Sequence, residues 1–240
     1  FAGIFGPALL LFRYIQIDIY VSLLRTGAII ILISIVPLLF IKEKEHKTKT
    51  SKLISYNTFR FLWRIILINS VSGFATGIFM PLLPLWLLLR YDLSNNMVGI
   101  SFILINIGAS FGALLSDKLT KKLGMIKILT ITRITAGLLL IIAALSPFIW
   151  LFLIIYISRS FINGTGSPTR SIIVVNNVDT TDMGSASGIS GSITRLSALS
   201  TGLSGYLIDT NIFLPFIIAG FLQIFSGTLY HTILKDKIRR

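Results

Sequence analysis

Apolar runs long enough to cross a bilayer fill this chain, and short charged or turn-forming segments separate them. A hydrocarbon core of about 30 Å takes about 20 helical residues. Seven stretches meet or approach that length: Tyr20 to Ile41, Phe61 to Leu89, Met97 to Ser116, Ile126 to Leu145, Ile149 to Pro168 with a continuation toward Val175, Gly184 to Ile208, and Ile212 to Leu234. The opening run Phe1 to Phe12 is too short for another crossing and has no basic segment before it, so it reads as the end of a truncated helix rather than a signal peptide. The first residue, Phe1, likewise reads as that of a fragment. The expected fold is all-α, a polytopic helical membrane bundle.

Composition agrees. Apolar residues make up 54% of the chain and charged residues 13%, about half the charged share of a soluble domain. Mean hydropathy is +0.85. A net charge of +13 normally raises nucleic acid as a partner, but here the bases cluster between the apolar runs, where the bias toward cytoplasmic positive charge puts them. No nucleic-acid partner is expected. There is no cysteine, and His46 and His231 lie far apart, so neither a metal site nor a cofactor is expected.

Charge also sets the sidedness. With Lys42 to Arg64 in the cytoplasm, alternate connectors follow, and sixteen of the 22 basic residues fall on that side. Only Arg13, Arg25 and Arg90 fall opposite, while Arg133, Arg159 and Arg195 lie within the stretches. The cytoplasmic segments are 42–60, 117–127, 170–183 and 235–240.

The segment Gly112-Ala-Leu-Leu-Ser-Asp117-Lys118-Leu-Thr-Lys121-Lys122-Leu-Gly124 resembles the Asp-basic signature (roughly G-x-L-x-D-R-x-G-R-R) of the major facilitator superfamily, in its second-half copy. Ala113 and Thr120 stand where that pattern has glycine. Tyr156 to Pro168, with Arg159, Asn163, Gly164 and Gly166, looks like the second-half equivalent of the family's arginine-and-glycine helix. Gly184 to Gly205 resembles its penultimate helix, and Asp179 to Asp182 the connector before it. Gly3-Ile-Phe-Gly6-Pro7 is a partial match to the Gly-Pro antiporter motif of the fifth helix. The resemblance covers the whole chain, from the end of helix five through helix twelve. It implies a remnant of the amino lobe at 1–41, a basic inter-lobe linker at 42–60 and a six-helix carboxyl lobe at 61–240, with the rest of the amino lobe missing. It also implies a latch, in which Asp117, Lys118, Lys121 and Lys122 hold one conformation by pairing with a neighbouring helix end; the plainer alternative is a solvated basic loop.

Arg195, near the middle of its stretch, costs at least about 2.5–3.5 kcal/mol in lipid and so must face protein or water. It is either an anchor for an anionic group or conformational salt bridge, or a structural arginine bonded to carbonyls. Tyr156, Arg159 and Asn163 share one helical face, a polar stripe suited to a cavity wall or to interhelical hydrogen bonding. Arg133 is close enough to its helix end to snorkel. Asn69, Gly73, Gly77 and Pro81 recur every four residues, and Pro84 follows; the glycines suit close helix packing, as do Gly188, Gly191 and Gly202, and the prolines free carbonyls and permit bending. Asn69 and Asn106 are lesser cavity candidates. By the resemblance, helices seven and ten line the central path, while nine and twelve are peripheral.

The expected function is secondary transport of a small molecule by alternating access across the cell membrane, with a proton as coupling ion and efflux as the direction. Uptake of a small organic anion, suited to Arg159 and Arg195, is the alternative. No membrane stretch holds Asp or Glu, so a proton-carrying carboxylate would belong to the missing half. A membrane enzyme would need acidic metal motifs or a Ser-His set that these stretches lack. A non-transporting sensor or scaffold would want a larger extramembranous domain.

Overall fold

The computed structural model describes residues 56–178 and 198–234, with residues 22, 25–29, 32–33, 188–189, 191–192 and 196. The Gly-Pro motif, the linker as far as residue 55, the connector at 179–187 and Arg195 lie outside the described residues. Helices α1 (Tyr56–Phe79), α2 (Leu83–Tyr91), α3 (Asn95–Leu123), α4 (Met125–Ala144), α5 (Ile149–Asn177), α6 (Thr201–Thr210) and α7 (Leu214–Leu234) follow in order, and one 3-10 turn, Ala198–Ser200, leads into α6. There is no strand among the described residues. Five of these helices contain a stretch long and apolar enough to cross a membrane: α1, α3, α4, α5 and α7.

The expected span from Phe61 to Leu89 is two helices, and the prolines give the reason. Pro81 has no N–H to give the Gly77 carbonyl, and Pro84 none to give that of Met80. The freed Met80 oxygen takes the Leu83 N–H at 3.3 Å. The freed Gly77 oxygen takes hydroxyls from outside its helix, Thr201 Oγ1 at 3.0 Å and Ser204 Oγ at 3.3 Å. The break therefore fastens α6 to α1.

Helix α3 starts at Ser94, whose side chain accepts the Met97 N–H. It runs past the expected end at Ser116 to Leu123, so Asp117 to Lys122 form its last turns rather than a loop. Gly124 alone joins it to α4, at φ +83°, a conformation glycine adopts without the Cβ clash of other residues. Helix α5 extends past Pro168 to Asn177, about 44 Å at the standard rise.

Two helix pairs approach closely through glycines. A Cβ on Gly112 would collide with the Phe161 carbonyl, and one on Gly164 with that of Ala109, which sets the α3–α5 contact. Gly137 and Gly220 face each other across α4 and α7. Ser116 Oγ donates to the Thr165 carbonyl at 2.7 Å, and the Thr120 and Thr169 hydroxyls bond at 2.8 Å. At the opposite end α2 ties two connectors together: Trp86 Nε1 donates to the Ile212 carbonyl, and the Tyr91 hydroxyl bonds Ser146. Large apolar side chains such as Phe111, Leu114, Trp150 and Ile154 cover the outside of the bundle, as lipid-facing helices require.

Candidate functional site

Arg159 stands at the centre of the most unusual environment in the bundle. Its position ten residues into α5, about 15 Å along the axis, is far from either end. The side chain is 4% exposed and reaches neither end. Its Nη2 donates to Gln223 Oε1 of α7 at 3.2 Å. Its guanidinium carbon lies 4.9 Å from the ring centre of Phe79, the last residue of α1, and 5.0 Å from that of Tyr156, one turn earlier on α5. Two such ring contacts are worth about 2 kcal/mol each when desolvated.

That satisfies the cation in part. Arg159 Nε is buried with no hydrogen-bond partner, and the one ion pair among the described residues lies elsewhere. The Tyr156 hydroxyl points at Met80 Sδ, 4.0 Å away in the break between α1 and α2. The tyrosine ring stacks on Phe152, which leads through Trp86 to Phe216, an aromatic wall between the site and the Ser146 end. One hydrogen bond and two ring faces thus hold a guanidinium where three helices meet, with its Nε–H buried and unpartnered.

A second polar level lies nearer the Gly124 end. Asn69 Oδ1 accepts the Tyr230 hydroxyl at 3.0 Å, joining α1 to α7. Arg133 of α4 is 4% exposed. This corrects the expectation that Arg133 snorkels: a Cβ on Gly227 would stand 3.0 Å from the Arg133 Cβ, so α7 packs over the base of the side chain and encloses it.

The other sequence candidates disperse. Asn163 is half-buried one turn from Arg159, and Asn106 donates to the Phe102 carbonyl of its own helix. Gly73 and Gly77 are buried on α1, whereas a Cβ on Gly188, Gly191 or Gly202 would meet nothing within 4 Å. Asp117 Oδ2 pairs with Lys121 Nζ at 2.7 Å, one turn along the same helix, with both side chains largely exposed, and Lys118 and Lys122 are exposed beside them. The sequence reading missed Gln223, Tyr230 and Phe79. Gln223 had a signal, as the one amide in the apolar run of α7; Phe79 had none, because only the fold makes its ring the cover of a cation.

A family model described as Major Facilitator Superfamily matches residues 1–202. No curated protein matches the chain.

Proposed function

Since the chain belongs to the major facilitator superfamily, whose multi-pass members move small molecules across membranes, we propose that it works as a secondary carrier by alternating access. Residues 61–240 form its carboxyl lobe, 1–41 a remnant of the amino lobe, and 42–60 the basic cytoplasmic linker between them. The lobe rocks as a body against the amino lobe around a midplane site. Proton-coupled efflux across the cell membrane is the first reading of direction, supported by Gly6-Pro7 and the apolar helices. In it Asp117, Lys118, Lys121 and Lys122 latch one conformation, and Arg195 joins Tyr156, Arg159 and Asn163 along the path.

One observation favours the second reading, a substrate with an anionic group: Arg159 is buried with a free Nε–H and, among the described residues, no carboxylate paired with it. A carboxylate or phosphate reaching that N–H would exchange a ring contact for a charge-assisted hydrogen bond, roughly twice as strong as a neutral one. Phe79, beside the Met80–Leu82 break, is the part of the enclosure best placed to move. A bend there uncovers the guanidinium toward the path, and straightening covers it again.

Flux into proteoliposomes holding the full-length carrier under an imposed proton gradient tests both readings. Proton-driven expulsion of neutral or cationic compounds, retained in Arg159→Gln, supports efflux without an anion anchor. Uptake of organic anions, lost in Arg159→Gln while binding of neutral analogues persists, supports the anion carrier. No flux of either kind sinks the transport reading.

A further inference from the structure

A cavity of about 670 Å³ opens at the Gly124 end of the bundle, where α3, α4, α5 and α7 come together. Its size falls in the range of small-ligand sites. The walls are mostly carbon, from Ala113, Leu123, Met125, Ile126, Pro168 and Ile172. Its polar lining includes Ser116, Asp117, Thr120, Lys121, Lys127 and His231.

The charges there are not balanced. Asp117 is taken by Lys121, so Lys127 has no carboxylate among the described residues, and His231 has none either. The first turn of α4, Met125 to Lys127, faces the same cavity with no acidic residue and no capping side chain, so its N–H groups add partial positive charge. These groups lie at the ends of membrane-length helices, where such a bundle meets lipid headgroups.

We propose that this cavity binds one anionic phospholipid, its phosphate between Lys127, His231 and the start of α4 and the upper part of an acyl chain along Ala113, Ile126 and Ile172. Each half of the ligand answers one half of the lining. A soluble anion has no use for 670 Å³ of largely carbon-walled space, and a neutral apolar molecule leaves Lys127 unmatched. Basic pockets between membrane helices are the general means by which such headgroups are held. The lipid bridges the single-residue turn at Gly124 to the end of α7, so its loss loosens the join between the Asp-basic segment and the rest of the bundle. The assignment stands whichever face of the membrane this end occupies, and it is independent of substrate and direction.

Native mass spectrometry of the full-length protein, purified into phosphatidylcholine micelles doped with phosphatidylglycerol, reads the site directly. The expected result is one retained phosphatidylglycerol per protein. Lys127→Glu lowers its occupancy about tenfold or more. Ala113→Trp, which fills the apolar wall at an exposed position without changing charge, does the same. Lys122→Glu, in the same turns but outside the lining, leaves occupancy unchanged. Three results overturn the proposal: equal loss in Lys122→Glu and Lys127→Glu, which is diffuse attraction; full retention in Ala113→Trp, which is a headgroup contact without the cavity; and displacement by millimolar inorganic phosphate, which is a soluble-anion site.

Discussion

The two ends of the bundle are built from different interactions. At the Ser146 end, Trp86, Phe152, Phe216 and Tyr91 interlock with ring centres 4.6 to 5.8 Å apart, and the connectors hang on Trp86 and Tyr91. Toward the Gly124 end a largely aliphatic cluster, including Leu62, Ile65, Ile128 and Ile173, is joined by hydroxyls, the Asn69–Tyr230 bond and enclosed arginines. Aromatic packing with satisfied polar tips gives one arrangement, and it loses much if disturbed. Hydroxyl and charge contacts re-form with other partners or water when helices shift. The aromatic end is thus expected to be the costlier of the two to disturb, with Arg159 at their boundary.

Trp86→Ala gives the largest expected effect. It removes a fully buried ring and the bond to the Ile212 carbonyl, and loss of that size costs about 3–5 kcal/mol. Thermal unfolding of the purified protein in detergent should fall steeply. The hydroxyl pair at the other end, in Thr120→Val, should cost about 1 kcal/mol. Equal losses at both sites would break the distinction between the ends.

Arg159→Leu sharpens the boundary. Replacing a buried charge that lacks an ionic partner by an apolar residue of similar bulk removes its desolvation cost, which offsets the lost Gln223 bond and ring contacts. The variant should therefore unfold at the same temperature or higher, yet lose transport of substrates carrying an anionic group. A marked drop in stability would make Arg159 a structural strut, with Gln223 and the two rings as its whole purpose.

Much of this was legible in the sequence, for a physical reason. In lipid each helix bonds its own backbone, so uninterrupted apolarity is enough to place α3, α4, α5 and α7. Pro81 and Pro84 marked a bend, though not that it becomes a break held by Thr201 and Ser204. Apolarity misplaced the end of α3, because Asp117 to Lys122 are too polar to read as a membrane stretch yet stay helical, three of the six being lysine, a good helix former. Tyr156 and Arg159 stood out as polar residues on one face. Their partners Phe79 and Gln223 come from other helices, and no local pattern in a single sequence pairs residues that far apart.

Gly124→Ala tests the turn that the basic end depends on. Its φ of +83° is unfavourable for a residue with a Cβ, and space is not the issue, since a Cβ there meets nothing within 4 Å. The cost is conformational, about 1–3 kcal/mol, with the aromatic end left as it was.

The smallest expected effect is that of Asp117→Asn. Its pair with Lys121 spans one helical turn at 2.7 Å with both side chains more than two-thirds exposed, and such pairs contribute about 0.3–0.5 kcal/mol. Unfolding should hardly move. If this segment latches the two lobes in the full-length carrier, transport falls far more than stability does, because a charge that matters in only one conformation shifts the balance between conformations and not the fold. Equal small changes in both would leave Asp117 as a solvated helix-end charge.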